Sequence, residues 1–202
     1  MKVLWLTLSI IISDQISKLL VKGFSIPFLG IHHEGVPLGS SRQILDDVVR
    51  FTYVENPGMA FGVDFGGKLF LTLFSIAASI GILVYLFYMR KEKLLFRSSL
   101  ALILGGAIGN LIDRVFYGVF YNEAPLFYGK VVDFIDVQFF NINIFGYQLT
   151  RFWVFNVADS AVSIGVFILL IFHRSFVSEE EPKIVSDSTS SVNESGTRAD
   201  SM

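Results

Sequence analysis

Cysteine is absent from the 202 residues. Its absence removes disulfides, thiolate nucleophiles and cysteine-ligated zinc together, and leaves the compartment undetermined by redox logic. Charge is scarce too: 17% of residues are Asp, Glu, Lys or Arg, and a formal net charge of -2 supplies no basic field for nucleic acid, so no nucleic-acid partner is expected. Histidine occurs only as His32, His33 and His173. Neighbours such as His32 and His33 project apart from an extended backbone and chelate poorly, so no metal site is expected and the three read as loop and interface residues. Apolar bulk takes the place of charge, with 52% hydrophobic residues and 21 Phe and a mean hydropathy of +0.59. Those values describe a polytopic membrane protein.

Four apolar stretches, at about 3–21, 69–89, 94–116 and 157–176, have the length of transmembrane helices. The first begins after Lys2 and competes with a cleaved signal peptide, but no small-x-small cleavage site follows it. Instead it carries Asp14 and Lys18, four apart on one helical face, where an ion pair lowers the cost of each charge. Leu69 to Met89 is nearly uninterrupted, and Arg90, Lys91, Lys93 and Arg97 follow it closely, which marks that short loop as cytoplasmic. Both termini are then cytoplasmic, and the connections 23–68 and 117–154 lie outside. The fold expected is a mainly α membrane protein, a four-helix transmembrane bundle with a small extracytoplasmic β-rich cradle or hairpin.

Within the first outer connection, Val49, Phe51 and Tyr53 alternate with polar residues, and Asn56-Pro57-Gly58-Met59 is turn chemistry, which predicts a hairpin from about Val48 to Val63. Within the second, Val131 to Val137 reads as a strand on which Asp133 and Asp136 face opposite ways. Aromatic residues from Phe139 to Trp153 suit the headgroup level. Residues 177–202 carry Glu179-Glu180-Glu181 and seven serines and read as a disordered cytoplasmic tail, leaving 1–176 as one integral-membrane domain.

The polar residues gather at one end of this arrangement. Asn156, Asp159, Ser160 and Ser163 share a helical face at the mouth of the last apolar run. Helix three carries Gly105 and Gly109 in a GxxxG pair, which lets another helix approach, and then Asn110, Asp113 and Arg114. Asp14, Asn56 and Asp133 belong to the same layer. Two carboxylates brought together share one proton, so that one activates water while the other donates to a carbonyl oxygen, the logic of an aspartic protease. A transporter would also use intramembrane Asp and Arg, but its ionisable residues would lie at several depths, and 69–89 contains none. A scaffold leaves the two polar helix mouths without purpose. A serine–lysine peptidase built on Ser13 or Ser17 with Lys18 is disfavoured because Ser17 and Lys18 diverge on a helix.

Ser13 to Lys18, Glu55 to Gly62, Gly105 to Arg114, Val131 to Asp136 and Phe155 to Ala161 resemble, in order, the signature blocks of bacterial lipoprotein signal peptidase, signal peptidase II. The resemblance runs from about Trp5 to Phe172. It implies a four-helix intramembrane aspartic endopeptidase of the bacterial inner membrane that cuts prolipoproteins on the N-terminal side of a diacylglyceryl-modified cysteine. By motif position Asp133 and Asp159 match the catalytic pair, and Asp14, Asn56, Asn110, Arg114 and Asn156 match residues that support it and contact substrate. Lys18 takes a structural role, and Asp113 and Asp136 take local hydrogen bonds or an exposed charge. No cofactor is implied; the partners are lipidated prolipoproteins and membrane lipids, the active site faces the periplasm, and the chain acts as a monomer. Arg114 and Asp133 stand 19 positions apart, more than in the family's pattern, so 116–130 reads as an insertion. A surface insertion is thermodynamically cheap.

Overall fold

The computed structural model describes residues 1–172 apart from 47, 61, 62, 65, 66, 145, 146 and 152. The expected tail 177–202 and the end of the fourth helix at 173–176 lie outside the described residues.

Helix α1 (Leu4–Lys22) shows why it belongs in a bilayer. Trp5, Leu8, Ile12, Ile16 and Leu20 form an exposed apolar stripe, while Thr7, Asp14, Lys18 and Val21 line the buried face. The polarity is inverted relative to a soluble amphipathic helix. Gly23 ends it at φ 83, where a Cβ would press on the carbonyl oxygens of His33 and Glu34 at 2.6 Å. A small hairpin follows, β1 (Phe24–Ile26) and β2 (Ile31–His33).

Helix α2 (Gly67–Tyr88) is apolar around most of its circumference, and α3 (Leu94–Ile112) sits centrally, packed against α1, α2 and α5 (Val157–Ile171). Small residues let α3 touch two neighbours at backbone distance. Gly105 faces Thr7 and Ile10 of α1, while Gly106 faces Ala158 and Val162 of α5. The expected GxxxG pair, Gly105 and Gly109, lets α1 approach, and Gly109 also meets Ala158 of α5. Thr7 donates its hydroxyl to the Ala101 carbonyl at 3.0 Å. Leu4–Lys22, Gly67–Tyr88 and Leu94–Phe120 are long and apolar enough to cross a membrane. The fourth helix has 15 described residues, about 22 Å at 1.5 Å per residue.

Helix three does not stop at 116. It passes through a π-helical turn (Asp113–Tyr117) into a short helix α4 (Gly118–Phe120). The expected insertion is thus partly helix, and the remainder folds back: Phe127 N–H reaches the Val115 carbonyl at 3.1 Å and Gly129 N–H the Arg114 carbonyl at 2.9 Å.

A four-stranded antiparallel sheet closes this end of the bundle, in the order β3 (Ser41–Leu45), β4 (Val49–Asn56), β7 (Val131–Ile144), β8 (Tyr147–Arg151). The expected Val48 to Val63 hairpin is not what β4 forms. It pairs backwards with β3 through a tight turn and across the chain with β7, while the short β5 (Met59–Ala60) and β6 (Val63–Asp64) pair only with each other. The β4–β7 register sets Val54 opposite Asp133 and Asn56 opposite Val131. Val21, Tyr53, Tyr117, Val132 and Phe134 form the apolar cluster that fastens sheet to bundle.

Candidate active site

Two chain segments deliver carboxylates to the junction of sheet and bundle. Asn156 precedes α5 in extended conformation, at φ -128 and ψ -173. Its Oδ1 accepts from the Asp159 amide at 2.9 Å, and the Asp159 Oδ2 accepts from the Asn156 amide at 3.2 Å. This is a capping box, which satisfies two helix-end N–H groups and fixes both side chains. Asn156 is therefore a cap rather than a member of the expected helical face, and Ser163 is exposed. On the other segment, Asp133 is buried in β7.

Two side-chain amides join the carboxylates. Asn156 Nδ2 donates to Asp133 Oδ1 at 2.7 Å and to Asn110 Oδ1 at 3.0 Å, with a longer contact to the Val132 carbonyl at 3.3 Å. Asn110 Nδ2 donates to Asp159 Oδ1 at 2.7 Å. Asp133 and Asp159 are thus the two ends of a bridge made by Asn156 and Asn110. Asn56 also hydrogen-bonds Asp133, and the half-buried Arg114 lies close enough to act electrostatically on Asp133 and Asp159. Burial, and then the neighbouring Asp159 charge, push the Asp133 carboxyl up to about 7, against the opposing influence of Lys18, Asn156 and Asn56.

Behind the bridge lies a completely buried charge cluster. Lys18 Nζ donates to Asp14 Oδ2, Asp113 Oδ2 and Asn110 Oδ1, each at 2.8 Å. Asp14 Oδ1 accepts from the Ala158 amide at 2.9 Å, which ties α1 to the first turn of α5, and Asp113 Oδ2 accepts from the Val132 amide at 3.2 Å, which ties α3 to β7. Gln15 Nε2 contacts Asp14, Asp113 and the Gly109 carbonyl, and its Oε1 accepts from the Tyr117 hydroxyl at 3.0 Å. Asp136 faces away from the pair, accepting from Thr52 at 2.9 Å.

A second cluster fastens the folded-back insertion. Glu55 accepts from Lys22, from Tyr53 at 2.7 Å and from Lys130 at 2.8 Å, while Lys22 also pairs with Glu123 at 2.6 Å and lies over the Tyr121 ring. Burial opposes the charge on Glu55, but hydrogen bonds from Lys130, Lys22 and Tyr53 outweigh it and hold the carboxyl at about 2. Burial and the hydrogen bond to Glu55 push the Tyr53 phenol far up.

The family model for signal peptidase (SPase) II matches residues 6–175. The chain belongs to the signal peptidase II family. The lipoprotein signal peptidase of Pelodictyon phaeoclathratiforme is 37% identical over 182 residues, covering 90% of this chain and 95% of its own. That of Porphyromonas gingivalis is 35% identical over 198 residues, covering 84% and 81%. A solved bacterial membrane enzyme, determined by the in meso method at 2.3 Å, superposes with a TM-score of 0.60 at 29% identity, covering 91% of this chain and 94% of that one. This signal peptidase is accordingly a multi-pass membrane protein acting in lipoprotein processing.

Every residue singled out from the sequence as part of the site lies at the sheet end of this peptidase. What the sequence reading missed is the depth of the support. Asp113, expected to make local hydrogen bonds or carry an exposed charge, is completely buried and ion-paired to Lys18. Gln15 had one available signal, its place between Ser13 and Lys18 on the face turned to helix three. The serine–lysine alternative finds no support, because Lys18 is engaged by two carboxylates and Ser17 donates to the Asp14 carbonyl at 2.8 Å.

Proposed function

We propose that this chain is an intramembrane aspartic endopeptidase that removes signal peptides from prolipoproteins, cleaving on the N-terminal side of the diacylglyceryl-modified cysteine. One observation carries the reading: two carboxylates from separate elements, Asp133 and Asp159, are held at opposite ends of a bridge of two side-chain amides. Asp159 receives N–H donors on both oxygens and stands at the positive end of α5, the surroundings of a carboxylate that takes a proton from water. Asp133, raised by burial and by its partner, carries the shared proton at rest.

In the proposed reaction Asp159 removes a proton from water as its oxygen bonds to the scissile carbonyl carbon, and Asp133 donates its proton to the carbonyl oxygen. Collapse of the tetrahedral diol returns a proton to Asp133 and passes the one on Asp159 to the departing cysteine amine, breaking the C–N bond and restoring both carboxyls. Asn56 and Arg114 contact the substrate backbone; Asp14, Asn110 and Asn156 hold the pair. No cofactor or metal takes part.

The placement follows from the charges. The helix at 157–171 supplies the fourth span, the cluster from Arg90 to Arg97 marks the cytoplasmic side, both termini face the cytoplasm, and the dyad lies on the periplasmic face of the bacterial inner membrane. A lipid-anchored substrate presents its scissile bond there without leaving the bilayer. The monomer suffices, since both carboxylates come from one chain. Incubating the purified chain in detergent with a diacylglyceryl-modified prolipoprotein, and following the loss of the signal peptide by gel shift, tests this; transporter and scaffold readings both give no cleavage.

A further inference from the structure

The proposed mechanism leaves one buried ammonium without an assigned task in the reaction. Lys18 is completely buried, and pairing with Asp14 and Asp113 explains its charge. It does not explain the third contact, Nζ to Asn110 Oδ1 at 2.8 Å.

An ammonium only donates, so the Asn110 atom facing it must be the amide oxygen. The same oxygen accepts from Asn156 Nδ2. With both acceptor directions of Oδ1 so used, Nδ2 is left to face Asp159 Oδ1 at 2.7 Å. A flipped Asn110 would set its NH2 against the ammonium and the Asn156 amide, and its oxygen against a carboxylate, three mismatches of which two lie among buried groups. Asn156 is fixed by its own cap contact: Oδ1 takes the Asp159 amide, so Nδ2 bonds both Asn110 Oδ1 and Asp133 Oδ1. Two donor-only groups, the Lys18 ammonium at Asn110 and the Asp159 amide at Asn156, set the direction of the bonds in the bridge.

We propose that Lys18 is a positioning residue for the dyad, which together with the capped Asn156 orients the Asn110 amide so that it presents N–H to Asp159. This rests on the proposed aspartic peptidase reading and gives Lys18 a role beyond the structural one expected from the sequence.

The test uses the full-length chain in detergent with a diacylglyceryl-modified prolipoprotein. Lys18→Met keeps the stem and removes the donor, but leaves Asp14 and Asp113 without their cation. The informative variant is therefore Lys18→Met combined with Asp113→Asn, compared with Asp113→Asn alone. Lys18, Asp14 and Asp113 together carry one net negative charge, and the paired variant keeps that charge on Asp14. Expected is a loss of kcat of about 100-fold or more relative to Asp113→Asn, the scale on which misplaced catalytic groups lose rate. KM and the thermal midpoint stay close to those of Asp113→Asn, the pattern of an interaction used only in the transition state. Equal turnover in the two variants overturns the positioning role while leaving the peptidase reading intact. Loss of the thermal transition in the paired variant also overturns it, assigning Lys18 to the fold. No cleavage by the unmodified chain removes the peptidase reading, and this inference with it.

Discussion

Asn156 donates to Asp133 with the same side chain that accepts from the Asp159 amide. A strand carboxylate and a helix carboxylate are thereby registered to each other through one residue, and that residue is also the cap of the helix. The cap that starts α5 thus also turns the Asn156 amide toward β7.

Asp133→Asn and Asp159→Asn should each abolish cleavage of a lipidated prolipoprotein while leaving membrane insertion intact. Turnover by either properly inserted variant above a small fraction of the unmodified rate would sink the dyad. Asp159→Asn also weakens the capping box, so its thermal midpoint should fall modestly, by about 1 kcal/mol of stability for a lost cap.

Asp133 carries the pH dependence. Its carboxyl is raised from 3.8 to about 7 in the fold, so the folded chain binds a proton more tightly than the unfolded one. Stability therefore falls as pH rises from about 4 to about 7 and levels off above, the sign that linkage requires for a raised acid. Asp133→Asn removes this penalty. Thermal midpoints measured across that range should show the variant gaining on the unmodified chain as pH increases, and parallel curves would refute the raised carboxyl. Turnover should decline on the alkaline side of neutrality as the shared proton is lost.

Glu55 behaves in the opposite sense. Its carboxyl is held at about 2 against a usual 4.5, so its contribution is present above about 4.5 and is lost as pH falls toward about 2. Glu55→Gln should cost about 1–3 kcal/mol, the penalty for leaving buried partners imperfectly paired. Because Lys22 and Lys130 lose their common anchor, limited proteolysis should cut faster near Asn122, and an unchanged cleavage rate there would show that the fold-back is held by other contacts.

A cysteine introduced at Asn122 should react with an impermeant thiol reagent from the periplasmic side, and one introduced at Glu92 should not. The chain has no native cysteine to confuse the labelling. The reverse pattern would overturn the proposed orientation.

The helices were legible because bilayer length and apolar runs are local signals, and Asp14 with Lys18 because an i,i+4 spacing is local as well. Asp133 and Asp159 emerged from motif order. The rest depended on distance in the chain. β4 meets β7 across about 80 positions, Arg50 against Asp136 for example, and nothing within 48–63 announces that partner, so the turn at Asn56 to Met59 looked like a hairpin. The π turn adds one residue to a helical repeat, which hydropathy does not register, so the apolar run alone ends helix three at 116. Gln15 carries no charge to mark it, yet it contacts Asp14, Asp113 and Tyr117. Asp113 became a buried partner of Lys18 only when α1 and α3 were brought face to face.

The fold-back after the π turn has a practical consequence. The chain departs from Arg114 and Val115 and returns to their own carbonyls through Gly129 and Phe127, so the excursion begins and ends at one spot on helix three. Its length is decoupled from the distance between Asn110 and Asp133. Foreign sequence grafted at its tip, near Asn122, adds only a slowly growing loop entropy, which makes this fold-back a natural docking point for an affinity tag or a crystallisation chaperone.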